Sequence, residues 1–349
     1  MIYSLQYLRA LAATAVVIFH IGLIFGWNWR PMAAGVDLFF LISGFIMWSV
    51  TANKKTRPGE FLARRLIKIV PLYWLFTAVF VVGVTLSPGP FNNHTSQPLQ
   101  VVMSLFFIPY YDQSGKIVPA LDVGWTLNYE MFFYLIFSLS LLLRERYRLP
   151  CITLTFVSLV LAGALPFKNA PFEVATSPML VEFAAGILIA AWHQSGRSLT
   201  RGADLLFIVA GLIGIALSFI MQPLEGTAGR VLMWGLPAAL ILFGALSYEK
   251  NHRVWRIEWL KMLGDASYAT YLSHPITIAV CKYLLSKAGL ERRDIALSQQ
   301  LLLFTLTFLA LMVVGVACYY LFDKPSHDFL RRRINKFGKR PAVRSSPLQ

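Results

Sequence analysis

The sequence predicts an all-α integral membrane protein, about ten transmembrane helices in one bundle with both termini cytoplasmic. Hydrophobic residues fill 57% of the 349 positions and charged residues 14%, well below the roughly one-quarter charged share of soluble domains. Apolar runs near the ~20 residues that a bilayer-crossing helix needs recur along the chain. Lys and Arg also fall unevenly on the loops between those runs, as orientation in a membrane requires.

The runs lie at about 8–26, 35–51, 69–87, 127–143, 151–167, 177–193, 204–222, 230–248, 266–286 and 299–322. A further apolar stretch, Leu99 to Pro109, is too short to span and is expected as an interfacial or re-entrant segment of the long third loop. Of 32 Lys and Arg, 23 fall in the loops after the even-numbered spans and in the C-terminal tail; 7 fall in the other loops, and Arg9 and Lys282 sit inside spans. The positive-inside rule then puts both termini in the cytoplasm.

The net charge of +15 is accordingly a topology signal. The basic run from Arg331 to Arg344 reads as a tail beneath an anionic leaflet, not as a nucleic-acid site. Residues 1–325 form one polytopic domain and 326–349 a basic, loosely ordered cytoplasmic tail. Cys151, Cys281 and Cys318 stand singly in apolar spans, so neither a disulfide framework nor a metal site is indicated. Met32, Ala33 and Ala34 resemble a signal-peptide cleavage site, but Arg9 and His20 interrupt the preceding apolar region and nine more spans follow, so the first span is expected to be retained.

Ionisable residues inside hydrocarbon are costly and mark function by default. In YLRALAATAVVIFH, Arg9 and His20 are eleven positions apart, three helical turns plus about 20°, so both side chains leave one face about 16 Å apart along the axis. Under the predicted topology His20 lies in the outer half of the membrane. Asp37, Glu130 and Glu182 start spans 2, 4 and 6 at similar depth. Each has a plainer reading. Asp37 could cap its helix, and Glu130 and Glu182 could pair with donors for packing alone. His274 precedes Pro275 in mid-span, where it could satisfy a backbone carbonyl that the proline leaves free.

On the cytoplasmic side, RRLIKIVPLYW (Arg64 to Trp74) puts Arg64, Arg65 and Lys68 on one helical face below the membrane. Such a group suits phosphate, or it is a positive-inside anchor with Tyr73 and Trp74 as interface aromatics.

These segments, with GVDLFFLISGF (Gly35 to Phe45), WTLNYEMFFY (Trp125 to Tyr134), VEFAAG (Val181 to Gly186) and LGDASYATYLSHP (Leu263 to Pro275), occur in an order that resembles the membrane-bound acyltransferase-3 superfamily. The resemblance runs from residue 7 to about residue 325 and looks most like the compact exopolysaccharide-type O-acyltransferases. It implies an essential pair at Arg9 and His20, donor binding at Arg64 and Arg65 with Lys68 where arginine is commoner, and a functional glutamate at Glu130. The FDKP segment (Phe322 to Pro325) departs from the family's acidic-arginine-proline pattern, so no role passes to Asp323 or Lys324.

The implied reaction moves an acyl group, most simply acetyl, from cytoplasmic acyl-coenzyme A to a hydroxyl of a carbohydrate such as an exopolysaccharide or its lipid-linked unit. Acetyl-CoA or another acyl-CoA is then a co-substrate, with no metal. Arg9, Arg64, Arg65 and Lys68 would bind the donor. His20 would act as general base or acyl relay, with Glu130 or Asp37 orienting its ring. Expected partners are the bilayer, in a bacterial inner membrane, and the polysaccharide biosynthesis machinery. Two rivals are a secondary transporter or flippase, for which internal repeats would be expected, and a non-catalytic partner of a polysaccharide synthase.

Overall fold

The computed structural model describes residues 2–86, 97–221, 224–290 and 296–338, with the side chains of 335–338 left out. Arg292, Arg293 and residues 339–349 of the basic tail lie outside the described residues. The described residues are helical and contain no strand. Among the described residues fourteen α-helices follow one another: α1 Tyr3–Phe25, α2 Ala34–Thr51, α3 Pro58–Leu86, α4 Pro98–Leu105, α5 Trp125–Ser140, α6 Glu145–Ala162, α7 Ala170–Ala175, α8 Leu180–Gln194, α9 Ala203–Leu217, α10 Gly226–Arg230, α11 Leu236–Asn251, α12 Glu258–Lys287, α13 Leu297–Cys318 and α14 Lys324–Gly338.

Among the described residues six helical stretches are long and apolar enough to cross a membrane: Tyr3–Phe25, Arg30–Thr51, Pro58–Leu86, Ala170–Gln194, Gly226–Asn251 and Leu297–Ile334. The other four expected spans coincide with α5, α6, α9 and α12. Helix α9 is apolar but short, and α12, at 30 residues, carries charge at both ends. The short stretch expected near Leu99 is the eight-residue α4.

Prolines shape two of the long stretches. A π-helical turn at Val231–Gly235 precedes Pro237, and a second at Tyr319–Asp323 precedes Pro325. Proline offers no N–H to the carbonyl four residues back, and a widened turn is one way the helix accommodates that gap. The second turn joins α13 to α14, which packs on α3. The first half of the tail, expected to be loosely ordered, is therefore helical as far as residue 338.

Helix α1 lies among α2, α11, α12 and α13. Its first turn is held from outside: the Glu249 carboxylate of α11 accepts from Tyr3 N at 2.8 Å, Ser4 N at 2.7 Å and Ser4 Oγ at 2.5 Å. Free N–H groups at a helix start need such partners. At the other end Gly26, at φ +73°, turns its N–H back onto the Gly22 and Leu23 carbonyls. Helices α1 and α12 run parallel, since Gln6 meets Gly264 and His20 meets His274.

The core is aromatic where α2, α5 and α8 meet. Phe183 stacks on Phe40 at 4.6 Å and on Phe133 at 4.4 Å between ring centroids. Two glycines let α2 and α8 touch backbone to backbone. A Cβ on Gly44 would collide with the Phe183 carbonyl, and one on Gly186 with the Leu41 carbonyl, the close approach that small residues permit between membrane helices. Outward faces are greasy: Leu206, Leu212 and Ile213 on α9 and Leu302, Leu309 and Val313 on α13 are exposed.

The α2–α8 contact has no room for a larger side chain. Gly186→Val is expected to cost at least about 2 kcal/mol, in the range of overpacked cores, and to lower the melting temperature of the detergent-solubilised protein by several degrees. Differential scanning fluorimetry of the two proteins measures it.

Candidate active site

A cavity of about 320 Å³ opens beside the start of α3 and runs inward between α2, α5 and α12. Arg9, Arg64, Arg65 and Lys68 line it together with Glu130, so four cations face one carboxylate. Its inner walls include Ser43, Thr126, Tyr134, Ser267, Tyr268 and Tyr271. The cations predicted to bind a donor and one predicted catalytic carboxylate are thus brought to one chamber from three helices, α1, α3 and α5.

The cations are not equivalent. Arg64 is exposed and pairs with Glu60 one turn earlier, at 2.6 Å. Lys68 pairs with Asp323 at 2.7 Å, the carboxylate being almost fully buried. The π turn before Pro325 ends on that aspartate, so the FDKP segment, to which the sequence assigned no role, holds one of the chamber's cations. Arg65 has its Nε buried without a hydrogen-bond partner and the ring of Phe61 at 5.9 Å. Arg9 makes one long bond, 3.4 Å, to Gln6 Oε1, and the charges of Asp265, Glu130 and Asp323 act on it.

The four ionisable groups expected at one depth separate into three clusters. Glu130 belongs to the chamber, where Tyr134 Oη and Ser43 Oγ donate to its Oε1 at 2.5 and 3.0 Å. Asp37 does not line the chamber. It accepts two bonds from Arg230, at 2.7 and 3.1 Å, and Arg230 lies over the rings of Trp234 and Trp125 at 4.7 and 5.7 Å. Nor does Asp37 cap α2, whose N-cap is Ala33 with no side-chain bond. Glu182 is buried beside this pair, against Gly235 and next to the Asp37 carboxyl.

His20 forms the third cluster. Its Nδ1 lies 2.9 Å from the Val16 carbonyl, and its ring sits 4.7 Å from that of His274. The expectation that Glu130 or Asp37 orients this imidazole is therefore corrected: both carboxylates are engaged elsewhere, and the neighbour of His20 is a second histidine. Nor does His20 line the chamber. The link between them is Tyr271, whose ring faces the chamber and lies 5.7 Å from His274.

Arg230 and His274 are the residues that sequence reasoning undervalued. Arg230 stands at the start of span 8, and a lone cation there, opposite Asp37 and Glu182, is a usable signal. Pro275 already pointed to the capping role of His274: the carbonyl it leaves without a backbone donor is that of Tyr271, and His274 Nδ1 reaches it at 2.6 Å.

Among the described residues no cluster of His, Cys, Asp and Glu could hold a metal ion. What the chamber offers is cationic capture at one end and hydroxyl and carboxylate groups within.

Comparison with known proteins agrees with this geometry. An acyltransferase domain family matches residues 2–323 of the chain. The exopolysaccharide production protein ExoZ of Rhizobium meliloti is 37% identical over 311 residues, which cover 88% of this chain and 94% of ExoZ. The O-acetyltransferase OatA of Staphylococcus aureus is 24% identical over 316 residues, covering 80% of this chain and 51% of OatA, so the chain spans about half of that protein's length. No solved structure matches the chain. A family match over nearly the whole length, on a bundle of apolar helices around a cation-lined chamber, places the protein in the acyltransferase-3 family of membrane-embedded O-acyltransferases.

Proposed function

We propose that the chain transfers an acyl group, most simply acetyl, from acyl-coenzyme A to a hydroxyl of a carbohydrate such as an exopolysaccharide or its lipid-linked repeat unit. The observation that carries this reading is the chamber with four cations and one carboxylate. The relative's name, an exopolysaccharide production protein, favours the acceptor class, and an O-acetyltransferase among the relatives favours acetyl.

At about 320 Å³ the chamber is near the lower end of ligand pockets, about 300–1,000 Å³. It suits the pantetheine arm and the thioester, with the nucleotide left outside. The phosphates would be met by Arg65 and Arg64, and by Lys68 once it exchanges Asp323 for phosphate. Arg9 would face the arm further in, and Glu130, with Ser43 and Tyr134, would shape the inner wall around the thioester. Asp37 would act at a distance from the chemistry, by holding Arg230.

His20 is the proposed base. It would take the proton of the attacking hydroxyl, or else carry the acyl group itself before passing it on. Labelled acetyl-CoA supplied without acceptor separates the two, since only the relay leaves label on His20. In the same reading residues 1–325 are the membrane domain, residues 326–349 the basic tail, and both ends are cytoplasmic, in a bacterial inner membrane.

Two substitutions test the assignment. Arg65→Ala should raise KM for acetyl-CoA about tenfold or more, the worth of a charge-assisted hydrogen bond, with kcat little changed; Arg64→Ala, being exposed and paired, should do less. His20→Ala should cut transfer by at least about a hundredfold while the protein still elutes as one folded species. A folded His20→Ala protein that acylates polysaccharide at the parent rate would refute the base assignment.

A further inference from the structure

Two imidazoles meet inside the bundle, away from the chamber's cations. The rings of His20 on α1 and His274 on α12 are 4.7 Å apart and inclined by 55°. His274 is fully buried. Each ring has its Nδ1 on a carbonyl of its own helix: His20 on Val16 at 2.9 Å and His274 on Tyr271 at 2.6 Å. A carbonyl can only accept, so Nδ1 carries the hydrogen in both rings and each Nε2 is left with its lone pair. For His274 that Nε2 is buried and has no hydrogen-bond partner.

A structural role explains half of this arrangement. Pro275 leaves the Tyr271 carbonyl without its backbone donor, and the Nδ1–H of His274 satisfies it. An asparagine would do the same. It does not explain why the position carries a buried, unpartnered acceptor against the ring of His20, an arrangement that costs free energy when the acceptor stays idle.

We propose that His274 is the positioning residue of His20, and that the lone pair of its buried, unpartnered Nε2 stabilises by its dipole the positive charge on the neighbouring ring while His20 holds the proton of the acceptor hydroxyl. The inference rests on the reading of His20 as the base. In the step, the hydroxyl O–H bond breaks as the oxygen bonds to the acyl carbon, and the proton goes to His20 Nε2. The C–S bond of the thioester breaks with its electron pair on sulfur, and the proton then leaves His20 for the thiolate. Both imidazoles end neutral, and the products are the ester and the free thiol. The carbonyl of Val16 holds the Nδ1–H that a carboxylate holds in a hydrolase triad, and the neutral ring of His274 supplies the nearby negative end of a dipole in a site whose carboxylates are engaged elsewhere.

The test uses the full chain in membranes, with radiolabelled acetyl-CoA and polysaccharide from a strain lacking the protein. In His274→Asn the amide can occupy the place of Nδ1 and keep the bond to Tyr271, while nothing stands at Nε2. The expected result is a KM for acetyl-CoA within about threefold of the parent and a kcat lowered about a hundredfold, as for loss of acid–base function. A His274→Asn protein whose kcat stays within about threefold would overturn the proposal. Should that variant fold poorly, His274→Phe combined with Pro275→Ala decides instead, because residue 275 then supplies the backbone N–H that Tyr271 needs. Low kcat in the folded double variant supports the proposal and near-parent kcat overturns it. His20→Ala assayed alongside separates the two readings: if it is inactive while His274→Asn is active, only the inference about His274 fails, whereas an active His20→Ala removes the base itself.

Discussion

The arrangement depends on the parallel contact between α1 and α12. With Gln6 against Gly264 and His20 against His274, two helices far apart in the chain stay in contact over most of α1. The Glu249 carboxylate prevents α1 from sliding by holding its first two N–H groups. A shift of one residue would turn His20 by about 100°, away from His274, and take Arg9 out of the chamber. Glycine at 264 sets how close the two axes come, because a side chain there would strike the Gln6 backbone.

Within this frame the buried polar groups are distributed so that each charge has company. Lone ions in hydrocarbon are expensive, and breaking a buried pair costs more than the pair is worth in net stability. Asp37 has Arg230, Asp323 has Lys68, and Glu130 has two hydroxyls with Arg9 and Arg65 nearby. Among the described residues, the buried atoms without a hydrogen-bond partner include Nε of Arg65 in the chamber and Nε2 of His274. Both stand where the proposed chemistry uses them, Arg65 toward the donor and His274 beside the base. Glu182 lies beside the Asp37 carboxyl.

The two proline-linked π turns give the bundle much of its chemistry. One ends on Asp323 and delivers the partner of Lys68; the other follows Arg230, the partner of Asp37. Pro275 makes its contribution without a π turn, by freeing the carbonyl that orients His274. In each case a missing backbone donor is answered locally, by a widened turn or by a side chain, and the answer aims a functional group. Helical irregularity beside functional residues is a recurrent theme in membrane proteins, where no water is at hand to repair the backbone.

The sequence by itself determined the class: composition and run lengths demand helices in a bilayer, and the ordered motifs identified the family. It also selected the chamber's cations, because Arg64, Arg65 and Lys68 share one helical face and periodicity within a single helix can be read from spacing alone. It placed Arg9 and His20 on one face for the same reason. Only the tertiary structure decided which groups from different helices meet. Depth along the membrane made His20, Asp37, Glu130 and Glu182 look like one site, but depth is one coordinate of three. The rotation of each helix and the choice of its neighbours separated them, sending Glu130 to the chamber, Asp37 to Arg230 and His20 to His274. Those choices follow from backbone contact at glycines, aromatic stacking and the pairing of buried charge, which are interactions between residues far apart in the chain and carry no local signature.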